Sequence, residues 1–123
     1  MANDRIILKT LRFYAYHGAN ADEKLRGQPF EVDIEVEREL VRAGQSDKIE
    51  DTSSYSHIYR IVEDVMLGPS HNLLESLGNM IAQRLLALLD IDAARVKVTK
   101  TAPPIQGAIL SGAAIEIYRR SSD

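Results

Sequence analysis

Residues 28 to 38 read Gln28-Pro29-Phe30-Glu31-Val32-Asp33-Ile34-Glu35-Val36-Glu37-Arg38, and this stretch decides the fold. Phe30, Val32, Ile34 and Val36 alternate with Glu31, Asp33, Glu35 and Glu37 at period two, the pattern of a strand with one face in a core and the other in water. Residues 5 to 14 before it are less regular but rich in Ile, Leu, Phe and Tyr. A Gly-containing connection from Gly18 to Gly27 separates the two stretches, which predicts a long antiparallel pair.

Beyond this pair the period changes. Tyr55, Ile58, Tyr59, Val62, Val65 and Met66 fall on one helical face, preceded by the cap-forming Thr52, Ser53 and Ser54 and stopped by Gly68-Pro69. Asn72 can cap a second helix whose apolar stripe is Leu74, Leu77, Ile81, Leu85 and Leu88, ending at Asp90 to Asp92. Two further strands follow, Ala94 to Lys100 and Ala113 to Tyr118, separated by a loop containing Pro103-Pro104 and Gly107. The order ββααββ predicts one α+β domain over residues 1–123: a four-stranded antiparallel sheet with two helices on one face. Its two open edges invite pairing with other copies, so subunits are expected to join edge to edge in a closed ring.

Composition narrows the chemistry. The 123 residues contain no cysteine, which removes disulfides, thiolate nucleophiles, iron–sulfur clusters and Cys-based zinc sites. The net charge is −3 with the basic residues scattered, so a nucleic-acid partner is not expected. No apolar run approaches the ~20 residues of a membrane span, so no membrane partner is expected. Met1 to Arg5 shows no targeting pattern, and a cytoplasmic location is the default. His17, His57 and His71 form no H-x-H or H-E-x-x-H pair, so no metal site is expected. No Gly-x-Gly-x-x-Gly, Walker or G-x-S-x-G segment occurs, and no cofactor is expected.

One residue breaks the apolar pattern. Ala94, Val96 and Val98 share a strand face, and the same parity puts Lys100 on it. Such a lysine either packs its stem and snorkels its ammonium to water, or sits in a pocket where desolvation lowers its pKa from ~10.4 and fits it for proton transfer. Glu75, three residues after Asn72, reads as a capping-box glutamate. A carboxylate at a helix start also suits a planar ligand edge with two N–H donors. Glu23 alone reads as a surface charge in a loop, and Tyr55 as a core residue with its hydroxyl at the rim.

In register, five segments resemble the dihydroneopterin aldolases of folate biosynthesis, which have the tunnelling fold. They are Phe13-Tyr14-Ala15-Tyr16-His17-Gly18, Glu23 with Gly27-Gln28, Asp51-Thr52 with Tyr55, Asn72-Leu73-Leu74-Glu75, and Thr99-Lys100 with Pro103-Pro104-Ile105. The resemblance covers essentially the full length and implies tetrameric rings stacked as an octamer, with sites between subunits. It implies that Glu75 and the Leu74 backbone grip the pterin edge, that Tyr55 comes from a neighbouring subunit to bind substrate and help deliver the proton to C1', that Glu23 helps bind substrate, and that Lys100 is the acid–base residue. The implied reaction is retro-aldol cleavage of 7,8-dihydroneopterin to glycolaldehyde and 6-hydroxymethyl-7,8-dihydropterin, with C2' epimerisation as a side activity and without metal or Schiff base.

Two positions depart from the family pattern. Ala15 replaces a common glycine, and Ser53 puts a hydroxyl where valine is frequent, beside a ligand contact. The alternatives are a dihydroneopterin or dihydroneopterin triphosphate 2'-epimerase, for which only Lys24, Arg26 and Arg12 offer a basic cluster, and a pterin-binding ring protein without catalysis. A zinc-dependent relative of the pyruvoyl-tetrahydropterin synthase type is disfavoured by the histidine spacing.

Overall fold

The computed structural model describes residues 4–122, so Met1 to Asn3 of the segment read for a targeting signal lie outside it. The sheet has four antiparallel strands in chain order, β1 (Arg5–Ala15), β2 (Gln28–Glu37), β3 (Ala93–Lys100) and β4 (Ala113–Arg120). Two long helices, α3 (Tyr55–Met66) and α4 (Leu74–Leu88), enter between β2 and β3. Both pack on one face, α3 over β1 and α4 over β3 and β4. The ββααββ reading holds for the main elements, with β1 and β4 as the outer strands. Two six-residue helices were not foreseen: α1 (Ala21–Arg26) and α2 (Val41–Ser46). No helix among the described residues is long and apolar enough to cross a membrane.

β2 is the spine. Phe30, Val32, Ile34 and Val36 are fully buried beneath the helices, while Glu31, Asp33, Glu35 and Glu37 face the other way. There Glu35 and Glu31 pair with Arg5 and Arg12 of β1 at 2.9 and 3.3 Å. Such half-exposed pairs add ~0–1 kcal/mol each and serve mainly to keep this face polar.

The irregularity of β1 has a local cause. Leu8 pairs with Ile34 and Leu11 with Val32, so β1 carries one extra residue between them. Thr10 takes φ 52° in this bulge, and its N–H donates to Asp33 Oδ1 at 2.8 Å. The bulge moves the inward set from Ile6 and Leu8 to Leu11, Phe13 and Ala15, and a strict period of two could not show it.

Some helix expectations need correction. In α3, Ile58, Val62, Val65 and Met66 are buried as expected, together with Ile61, but Tyr55 is 73% exposed and is not a core residue. It sits at the first position of the helix, before the chain turns onto the sheet. In α4, Leu77, Ile81 and Leu85 are buried, whereas Leu88 stands in the last turn and is 59% exposed. Asn72 does not cap α4: the N-cap is Leu73, with extended backbone and no side-chain cap bond. The helix therefore starts one residue later than the capping pattern implied.

Phe30 lies opposite Phe13 on one side and Lys100 on the other, with no exposed surface. Phe30→Ala is expected to lower unfolding free energy by about 3–5 kcal/mol, measured by urea titration.

Candidate active site

The site is at the end of the sheet where β1 runs out and β3 ends. Lys100, the last residue of β3, is a cross-strand neighbour of Phe30 and Ala113. Its Nζ lies 2.6 Å from Glu23 Oε2, with the two side chains only 15% and 8% exposed. The lysine thus neither snorkels to water nor sits as a lone ammonium in an apolar pocket. It is one half of an enclosed ion pair.

Glu23 is likewise no loop charge. It is the one buried residue of α1 and reaches the sheet because that short helix folds back over it. Gln28 Nε2 donates to Glu23 Oε2 at 2.7 Å and also lies 3.1 Å from the His17 carbonyl oxygen. The Asn20 N–H donates to Glu23 Oε1 at 3.2 Å. Burial pushes the carboxyl up, but the hydrogen bonds from Lys100, Gln28 and Asn20 outweigh it and hold the pKa below the ordinary carboxylate value. Glu23 is therefore a carboxylate at neutral pH, with both oxygens engaged.

Gly18 makes room for this arrangement. A Cβ there would stand 2.4 Å from Glu23 Cδ, so any side chain at 18 would displace the carboxylate. The Gly18 N–H donates to the His71 carbonyl at 2.9 Å, which ties this corner to the loop leading into α4. Leu74 and Glu75 open that helix. Glu75 is exposed and, among the described residues, unpaired. It returns no bond to Asn72, so its carboxylate is free to meet an outside partner.

Tyr55 lies elsewhere. It shares a surface depression with Ile6, Leu40, Ile49 and Thr52. Ile6 pairs with Val36, whereas Lys100 pairs with Phe30. At ~3.3 Å per residue along β2, the two ends are about 20 Å apart. One chain brings Lys100, Glu23 and the start of α4 together and leaves Tyr55 at the opposite end. Of the unusual positions, the Ser53 hydroxyl is buried and accepts from Arg38 Nη1 at 3.1 Å, so it is engaged within the chain.

A family model described as FolB, dihydroneopterin aldolase, matches residues 6–118. The chain belongs to the dihydroneopterin aldolase family. It is 38% identical over 118 residues to dihydroneopterin aldolase 1 of Arabidopsis thaliana, covering 95% of this chain and 81% of that one. It is also 38% identical over 120 residues to the dihydroneopterin aldolase of Bacillus subtilis, covering 97% and 99%. The E. coli dihydroneopterin aldolase in complex with neopterin superposes with a TM-score of 0.86 at 26% identity, over 94% of this chain and 98% of that one. Membership makes the chain a lyase of folate biosynthesis, and the α+β sheet with helices on one face is the dihydroneopterin aldolase fold.

Sequence reasoning missed two buried polar residues here, Gln28 and His17, although both lie in motifs shared with dihydroneopterin aldolases. Gln28 occupies an inward position of β2 by strand parity, where a polar side chain is a signal in itself. His17 is 2% exposed, and burial lowers its pKa, against the opposing effect of its bond to the Met66 carbonyl. A histidine buried neutral binds fewer protons than it does unfolded, so its contribution is present above the unfolded value of 6.5 and is lost as pH falls below it. The thermal midpoint should accordingly decline from about pH 6.5 downward. His17→Asn should remove much of that decline, which calorimetry across pH would read.

Proposed function

We propose that the chain cleaves 7,8-dihydroneopterin by a retro-aldol reaction without metal or Schiff base, with Lys100 as the acid–base residue. The observation that carries this reading is the 2.6 Å Lys100–Glu23 pair, at a corner that the Gly18–His71 bond ties to the loop leading into α4. The dihydropterin supplies its own electron sink in the N5=C6 imine. Loss of the 2'-hydroxyl proton to solvent forms the C2' carbonyl and breaks the C1'–C2' bond, and glycolaldehyde leaves. The electron pair enters the ring as an enamine while N5 gains a proton. C1' is then protonated, N5 gives its proton back, and 6-hydroxymethyl-7,8-dihydropterin results.

Each residue has a part in this sequence. The Lys100 ammonium, aimed by the Glu23 carboxylate, donates at N5 as negative charge develops there. Glu23 also helps bind the side chain of the substrate. The exposed Glu75 carboxylate presents two acceptor oxygens to the N–H donors of the aminopyrimidinone edge, with the Leu74 backbone beside it. Tyr55 delivers the proton to C1' from another subunit, a reading supported by its position about 20 Å along β2 from Lys100. The neopterin bound by the E. coli protein supports this choice of ligand.

The same geometry supports assembly into a ring. Among the described residues the outer edges of β1 and β4 are unpaired, and Ile109, Leu110 and Ile105 stand exposed on the loop between β3 and β4. Edge-to-edge pairing would close four subunits into a ring, and two rings would stack as an octamer. Light scattering should give eight times the 13.7 kDa chain mass; a monomer at micromolar concentration would contradict the composite site.

Incubation with 7,8-dihydroneopterin should release glycolaldehyde at a rate unchanged by chelator, and borohydride added during turnover should leave the mass of the chain unaltered. Loss of activity to chelator, or a reduced covalent adduct on the chain, would overturn the metal-free, Schiff-base-free course. Lys100→Ala should lower kcat by about 10²–10⁴-fold while neopterin binding survives, and unchanged turnover would defeat the role of Lys100.

A further inference from the structure

His17 takes no part in the reaction just described, yet it sits where three segments meet. Its Nε2 is 2.7 Å from the Met66 carbonyl oxygen at the end of α3, and its Nδ1 is 3.0 Å from the His71 backbone nitrogen. A carbonyl can only accept and a backbone N–H can only donate, so the tautomer is fixed: Nε2 carries the hydrogen, Nδ1 accepts, and the ring is neutral. Edge contacts with Phe30 and His71, at centroid separations of 5.5 and 5.8 Å, hold its plane.

The segment that His17 grips leads directly into the ligand-facing helix. The His71 N–H goes to the His17 ring and the His71 carbonyl accepts from the Gly18 N–H. Ser70 Oγ donates to the Tyr16 carbonyl at 2.7 Å, and His71 Nδ1 meets Ser76 Oγ in the first turn of α4 at 2.7 Å. The helix has no side-chain cap of its own. Where its first turn stands is therefore decided by how the 70–72 segment is anchored, and among the described residues the His17 ring is the only side chain bonded to the His71 N–H.

We propose that His17 is a positioning residue for pterin recognition: by accepting the His71 N–H, it sets where Leu74 and Glu75 are presented to the heterocycle. The inference rests on the reading of Glu75 as the pterin-edge residue. It assigns His17 a bond that matters for binding, the one at Nδ1, and a second that matters for stability, the one at Nε2.

Two substitutions separate these bonds. The carboxamide of asparagine reaches the Nδ1 position and can accept, while that of glutamine reaches the Nε2 position and can donate. His17→Gln should keep the Met66 bond and lose the His71 bond, raising KM for 7,8-dihydroneopterin about tenfold or more with kcat within about threefold. His17→Asn should bring KM back to within about threefold of the parent despite a lower thermal midpoint. An unchanged KM in His17→Gln, or equal KM increases in both variants, would overturn the proposal.

If His17→Gln does not fold, the unsubstituted chain still decides the matter. A ligand that needs the loop in place must in turn hold it in place, so saturating neopterin should slow hydrogen exchange at the His71 amide. Exchange unaltered by bound neopterin would overturn the proposal. A parent chain that binds neopterin without turnover would count against the assigned reaction and leave His17 to be judged on binding alone.

Discussion

An ammonium at the end of β3 and a carboxylate from a six-residue helix meet at 2.6 Å, both largely withdrawn from water. Taking two such charges out of solvent costs several kcal/mol per ion, and their attraction recovers this only when the remaining hydrogen-bonding positions are filled. Gln28 and the Asn20 N–H fill them on the Glu23 side. A well-packed apolar pair would stabilise the fold as well or better, so the ion pair is best understood through the proposed chemistry. In that proposal it holds the ammonium aimed beside the place where charge would develop, with little reorganisation left for the moment of reaction.

Much of the surrounding structure serves that meeting. The bulge at Thr10 shifts the inward parity of β1, so that Phe13 and Ala15 face the core beside Phe30 and Gln28. Gly18 leaves the space into which the Glu23 side chain folds. His17 binds the end of α3 to the loop before α4 and so joins the ion-pair corner to the helix start bearing Glu75. α3 packs over β1, and its ends mark the two halves of the proposed site: Met66, bonded to His17, at the Lys100 end, Tyr55 at the other. A reaction that uses both Lys100 and Tyr55 must therefore draw on two chains.

The sheet was legible because β2 alternates cleanly and because β3 pairs with it in unbroken parity. Lys100 was legible for the same reason, as a charge in an apolar row. Glu23 was not, since a helix of six residues carries too few turns to show a periodic face, and a carboxylate among Asp22, Lys24 and Arg26 resembles solvated surface. Its one available signal was the spacing of Asn20 and Glu23, the same capping pattern that was credited to Asn72 and Glu75, where the structure does not realise it. Tyr55 was misplaced because helical phase fixes a face but not where along the helix the core begins. His17 was hidden because its partners, the Met66 and His71 backbone, are distant in sequence, whereas Gln28 was marked by strand parity as a polar side chain at an inward position of β2.

The central claim is that one chain supplies Lys100 and Glu23 while another supplies Tyr55. Co-refolding Lys100→Ala chains with Tyr55→Phe chains and assaying 7,8-dihydroneopterin cleavage tests it most directly. Each variant alone should be nearly inactive, and random mixing should restore about a quarter of the parent activity per site, because one site in four would pair an intact Lys100 with an intact Tyr55. A mixture no more active than its two components would contradict the account.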